Sequence, residues 1–148
     1  MSESTGLPAR VSVITLGVTD LPRVTAFYSA LGWPLAAASD ATVSFFRTAG
    51  AILALFPTTD LAADAGIPGE GAGFRKLALA VNLDSPEQVD AGLSAVVEAG
   101  GTIVKPGQTA FWGGYTGYFA DPEGNLWEVA HNPGWPLDER GLPQLPLD

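Results

Sequence analysis

Apolar and polar positions alternate over residues 11–18, so that Val11, Val13, Thr15 and Gly17 share one face of a predicted strand and Ile14, Leu16 and Val18 the other. Asp20 can then cap a helix in which Leu21, Val24, Phe27 or Tyr28, and Leu31 recur at helical spacing, with Gly32 as its natural stop. After Trp33-Pro34, residues 35–39, 42–47 and 51–56 read as three short strands separated by polar or glycine breaks. Phe45 and Phe46 must point to opposite faces of their strand, one toward the core and the other toward any cavity.

Residues 58–73 pair a short helical stretch with a glycine-rich end and read as a connector. A second unit opens with a strand at 76–81. Ser85-Pro86-Glu87-Gln88 forms a capping box with proline in the first turn, and Val89, Leu93, Val96 and Val97 supply the apolar stripe of a helix that ends at Gly100-Gly101. Strands follow at 102–104, 115–120 and 126–130, the last two joined by Asp121-Pro122-Glu123-Gly124. The order βαβββ therefore occurs twice, with Ile14, Leu16 and Val18 matched by Leu77, Leu79 and Val81 at an offset of 63 residues. The expected fold class is α+β, with two tandem βαβββ modules pairing into a curved mixed sheet, helices outside and a concave surface between. The parts are an N-terminal extension (1–10), one domain at 11–133 (module one 11–57, linker 58–74, module two 75–133), and a proline-rich strap at 134–148, where Trp135 can anchor by packing.

Composition narrows the function. The 148 residues, 47% hydrophobic, suffice for one core and are too short for two independent domains. With no cysteine there is no disulfide, thiolate catalysis or iron–sulfur cluster. Sixteen acidic against seven basic residues give a formal charge of -9, which disfavours nucleic acid and favours neutral or cationic ligands. No run of eighteen apolar residues and no secretory leader pattern occurs, so no membrane partner is expected and the expected address is cytoplasmic. A serine–histidine site would depend on the single histidine, His131, without a nucleophile elbow, and the glycine-rich GIPGEGAG lacks a phosphate loop's Gly-Lys-Ser/Thr ending.

Two segments carry a family resemblance. ITLGVTDLPRVTAFYSALGW resembles the opening of vicinal-oxygen-chelate modules, and GYFADPEGNLWEV is similar to their closing hairpin, an Asp-Pro-x-Gly-Asn turn before a strand bearing glutamate. With the repeat, the resemblance to this glyoxalase, bleomycin-resistance and dioxygenase superfamily spans about residues 11–133. It implies paired modules, frequently a homodimer, and in catalytic members a divalent metal in the concave site. The metal positions it implies fall here on Val13, on Lys76 or Leu77, on Ala54 and on Glu128, and only Glu128 is a metal ligand. His131, three residues past Glu128, should point to the opposite face. No cofactor is expected, a divalent metal being kept open for ligands supplied by a partner chain.

In the same alignment Lys76 and Glu128 both face the cavity, so that lysine either replaces the metal's charge or forms a plain salt bridge. The segment KPGQTAFWGGYTGYF packs Phe111, Trp112, Tyr115, Tyr118 and Phe119 between glycines, a composition suited to a binding wall for a planar or cationic molecule; Trp112 and Phe119 could equally be core or interface residues. Trp127, alternating with Glu128, should face the core. The expected ligand-binding set is Val13, Thr15, Ala54, Lys76, Phe111, Trp112, Tyr115, Tyr118 and Glu128. The leading reading is sequestration of a small planar or cationic molecule in a metal-poor aromatic cleft. The alternatives are a glyoxalase-like lyase, isomerase or dioxygenase with Glu128 as base and Tyr115 or Tyr118 as acids, and a structural or regulatory subunit with a filled cavity.

Overall fold

The structure, a computed structural model, describes residues 7, 9–71 and 73–145, so most of the N-terminal extension and the last residues of the strap lie outside it. The two principal helices form where their caps demand. Helix α1 (Leu21–Ala30) starts at Asp20, whose carboxylate accepts the Arg23 amide at 3.1 Å, and carries Pro22 in its first turn. Helix α3 (Pro86–Ala99) starts at Ser85, which accepts the Gln88 amide at 3.2 Å, while the Gln88 side chain accepts from Asp84 rather than from the cap itself, at 2.8 Å. It stops at Gly100, left-handed at φ 106°. Between them the connector forms α2 (Thr58–Ala65), closed by Gly66. No helix among the described residues is long and apolar enough to cross a membrane.

The strands make two mixed sheets. In the first, β3 (Ile52–Pro57) lies between β1 (Val13–Val18), parallel to it, and β2 (Ser44–Phe46), antiparallel. In the second, β7 (Leu126–His131) pairs in parallel with β4 (Leu79–Asn82) and antiparallel with β6 (Tyr115–Ala120), which pairs with β5 (Thr102–Thr109). Several lengths differ from the sequence expectation: β1 begins at Val13 rather than Val11, and β2 covers only Ser44–Phe46 of the expected 42–47. Residues 35–39 reduce to a single bridge from Leu35 to Phe46, β5 runs through its irregular register to Thr109, and β4 begins only at Leu79, leaving Lys76 in the preceding loop with a left-handed φ of 60°. The strap turns back on itself, with a bridge from Leu137 to Pro143 and Asp138 accepting the Arg140 and Leu142 amides.

Helix α1 bridges the sheets. Phe46 is the core-facing member of the Phe45–Phe46 pair, and the Tyr28 ring packs on it and on Trp127, while Phe27 reaches Phe119. These join Leu16, Val18, Leu53 and Leu55 of the first sheet and Val89, Leu93 and Val96 of α3 in one buried cluster. Val97, read from sequence as part of the α3 stripe, is instead exposed, since it sits one residue past Val96 and turns away from the sheet. The Asp121–Asn125 turn ties the modules together. Asp121, buried, accepts from the Tyr28 hydroxyl at 2.8 Å and from the Asn125 side chain at 2.8 Å, and the Glu123 carboxylate accepts the Thr19 amide at 2.7 Å and hydroxyl at 2.9 Å and the Asp20 amide, at the threshold of α1.

Candidate functional site

Alternation along β7 sends Trp127 and Val129 into the core and Glu128 to the opposite face. Register then decides its neighbours: Ala80 of β4 on one side and Tyr118 of β6 on the other. Thr116, two residues before Tyr118 and so on the same face, donates its hydroxyl to Glu128 Oε2 at 2.7 Å. The half-buried carboxylate thus keeps one fixed partner and turns its remaining acceptor capacity to a cleft of about 320 Å³. Ala80 and Asn82 form one wall of that cleft, and Trp112 and Trp135 stand on it with 44% and 41% of their surface exposed.

Each indole is held by a turn. Between β5 and β6 the Ala110 amide donates to the Gly114 carbonyl at 2.8 Å and the Gly113 amide to the Ala110 carbonyl at 3.0 Å, with Gly113 at φ 96°. The Trp112 ring folds over Gly114, where a Cβ would stand only 1.9 Å from its Cζ3. Beyond β7, Asn132 accepts the Gly134 amide on its side chain at 3.0 Å and the Trp135 amide on its carbonyl at 3.1 Å, which returns Trp135 to the cleft. Burial, and secondarily the negative charge of Glu128, raise the Tyr118 phenol above its ordinary value, so it remains a neutral hydrogen-bonding group beside the carboxylate.

Of the residues singled out from sequence, Trp112 and Glu128 line the cleft and Tyr118 adjoins it. Tyr115 turns to the helix side, where its hydroxyl donates to Asp90 of α3 at 2.8 Å; that bond, with some desolvation, raises its phenol. Phe111 is fully exposed at the tip of the turn and is not among the cleft walls. Val13, Thr15 and Ala54 share a face of the first sheet, Val13 46% exposed and Ala54 only 2%, and none lines this cleft. Lys76 is exposed and likewise absent from the walls. His131 faces away from Glu128, with Nδ1 3.1 Å from the Leu83 carbonyl. Sequence reasoning passed over Thr116, Asn82, Asn132 and Trp135. Thr116 was accessible to it through the two-residue period; Trp135 was not, because its approach depends on the turn after β7.

A divalent metal does not fit these donors. Among the described residues no group of three or more acidic or histidine side chains converges, and Glu128 shares the cleft with amides, indoles and two alanines. One carboxylate plus neutral amides leaves a hard cation largely to water.

Comparison with known proteins agrees with this architecture. The model of the Glyoxalase/Bleomycin resistance protein/Dioxygenase superfamily matches residues 10–129. The chain belongs to that superfamily. Among solved members, a glyoxalase-related enzyme from Fulvimarina pelagi is 32% identical, with a TM-score of 0.85 over 93% of this chain and 99% of that one. A glyoxalase/bleomycin resistance protein/dioxygenase from Nocardioides is 26% identical, with a TM-score of 0.72 over 86% of this chain and 85% of its own. A lactoylglutathione lyase from Agrobacterium tumefaciens, at 22% identity and a TM-score of 0.67 over 89% and 100%, shares the superfamily fold. No curated protein sequence matches.

Proposed function

We propose that this superfamily member binds a small planar cation in the cleft at Glu128. The observation that carries the reading is the pairing of two half-exposed indoles with one carboxylate on the same walls. Indole faces attract flat, electron-poor or cationic rings, and Glu128 contributes the charge complement while Thr116 holds it in place. The side-chain amides of Asn82 and Asn132 can read polar edges of the ligand.

Tryptophan quenching by a panel of planar dyes, cationic and neutral, tests this on untagged protein, alongside elemental analysis for bound metal. Saturable quenching by the cationic members, weakened about tenfold or more in Glu128→Gln, is expected. Equal quenching by neutral and cationic dyes, or stoichiometric metal, would reject it. A second reading draws on Tyr118, a phenol held protonated beside Glu128: the two form an acid and a base for proton transfer on a bound carbonyl compound, as the superfamily's lyases suggest. Turnover of glutathione hemithioacetals that is lost in Glu128→Gln supports that reading, and no turnover by the wild type rejects it.

A further inference from the structure

A second cleft, larger than the first at about 570 Å³, opens where the edges of the two sheets meet, and Ala80 is the one residue it shares with the walls of the Glu128 cleft. It exists because β1 and β4 each pair with only one neighbour, which leaves a gap between two strand edges. Ile14 and Leu53 wall it from the first sheet, and Leu79 and Val81 from the second. Trp33 and Trp127, packed edge to face with centroids 5.4 Å apart, add aromatic surface, and Leu142 of the strap closes over one part. The volume lies within the roughly 300–1,000 Å³ usual for small-molecule sites.

Arg47 is the single ionisable residue on these walls. It is exposed, at the start of the turn between β2 and β3, and its amide donates to the carbonyl of Pro34 at 3.0 Å, which fixes its backbone beside the apolar wall. In a chain carrying a net charge of -9, an anion is repelled by most of the surface and finds a cation here, next to a large apolar recess. A guanidinium at the mouth of an apolar cleft matches one ligand class, an apolar body with a single anionic head.

We propose that this cleft is a second binding site that takes an amphipathic monoanion, its aliphatic or aryl body against Trp33, Trp127 and Leu79 and its carboxylate at Arg47. The four tryptophans of the chain divide between the sites, Trp33 and Trp127 here and Trp112 and Trp135 at Glu128. Occupancy of each is therefore separable by mutation.

Titration calorimetry of the full-length protein with decanoate, decanol and decyltrimethylammonium tests the proposal. Decanoate should bind once per chain and more tightly than either analogue. Arg47→Gln, a surface change that leaves the core intact, should weaken decanoate about tenfold, the scale of one lost charged hydrogen bond, without affecting decanol. Leu79→Trp should fill the recess and block decanoate and decanol, with its fold checked by thermal melting, whereas Glu128→Gln should leave decanoate binding unchanged. Failure of decanoate to saturate, binding of decanol as tight as that of decanoate, or indifference to Arg47→Gln would each overturn the assignment. So would a cleft filled by a second copy of the chain, which would show as dimerisation that excludes decanoate. Decyltrimethylammonium can also enter the Glu128 cleft, so its titration is repeated on Glu128→Gln; the decanoate and decanol results do not bear on that cleft, which is read with cationic dyes.

Discussion

The hydroxyl of Tyr28 donates to Asp121 at 2.8 Å and accepts the indole N–H of Trp127 at 3.0 Å, so that one buried phenol joins the first module's helix to the second module's closing turn and last strand. Tyr28→Phe keeps the ring and leaves both partners short of a bond inside the core. A loss of about 1–3 kcal/mol is expected in chemical denaturation, the cost of buried polar groups left without a partner. An unchanged midpoint would show that the bond does not hold the modules together.

The same phenol has an alkaline signature. Burial first, and then the charge of Asp121, push its ionisation far above the ordinary value of 10.0. The folded chain keeps the proton while the unfolded chain releases it, so this group's share of stability is full below pH 10 and falls as the pH rises above it. Melting curves from pH 8 to 11 should show a steeper decline for the wild type than for Tyr28→Phe; parallel declines would contradict this.

Glu123 acts on the acid side. Burial alone would raise its carboxyl, but the amides of Thr19 and Asp20, the Thr19 hydroxyl and the charge of Arg75 outweigh it and hold the group below its ordinary 4.5. A depressed carboxyl contributes stability above its unfolded value and loses it as the pH falls through the folded one. The melting temperatures of wild type and Glu123→Gln should therefore differ at pH 7 and converge as the pH falls below the ordinary 4.5 and through the lowered folded value. The group is largely solvated, so the gap should be modest. A gap that persists at low pH would place the effect in packing instead.

These two ties show which parts of the fold can be read along the chain. The caps at Asp20 and Ser85 and the Asp-Pro-Glu-Gly-Asn turn were legible because they rest on neighbours in sequence. So was the inward face of Trp127, through the two-residue period of its strand. The reach of Glu123 to Thr19 spans more than a hundred positions and leaves no local pattern. Lys76 shows the same limit: the alignment to the family that put it in the cavity takes the strand to start at 76, but the strand begins only at Leu79. Tyr115 had the right side-chain chemistry for a site but fell on the helix face, because β6 enters its ladder opposite His131.

Lys76 lends itself to a decoupled test. At φ 60° its backbone occupies a region that glycine enters without penalty. Lys76→Gly should be neutral to about 1 kcal/mol stabilising, relief of that strain being offset by the greater freedom of glycine in the unfolded chain. Lys76→Met should leave dye affinity within about twofold, since the residue stands outside the walls of the Glu128 cleft. A large loss of affinity in Lys76→Met would return the lysine to the site.

Gly114 offers the most specific check on the cleft itself. A methyl group there would meet the Trp112 ring at 1.9 Å and the His131 carbonyl at 2.8 Å, so alanine cannot coexist with the indole in its present position. The turn is exposed at its tip, so the ring can swing outward toward solvent, but the His131 carbonyl is backbone and must shift as well, so some loss of fold stability accompanies the change and is read by thermal melting. Gly114→Ala should therefore weaken cationic dye binding by about as much as Trp112→Ala, on the order of tenfold, and the double mutant should add little, because both changes remove the same wall. Full additivity would mean that Gly114 acts on the cleft by some route other than Trp112. Wild-type affinity in both single mutants would remove this indole from the ligand's surroundings and leave Trp135 as the aromatic partner of Glu128.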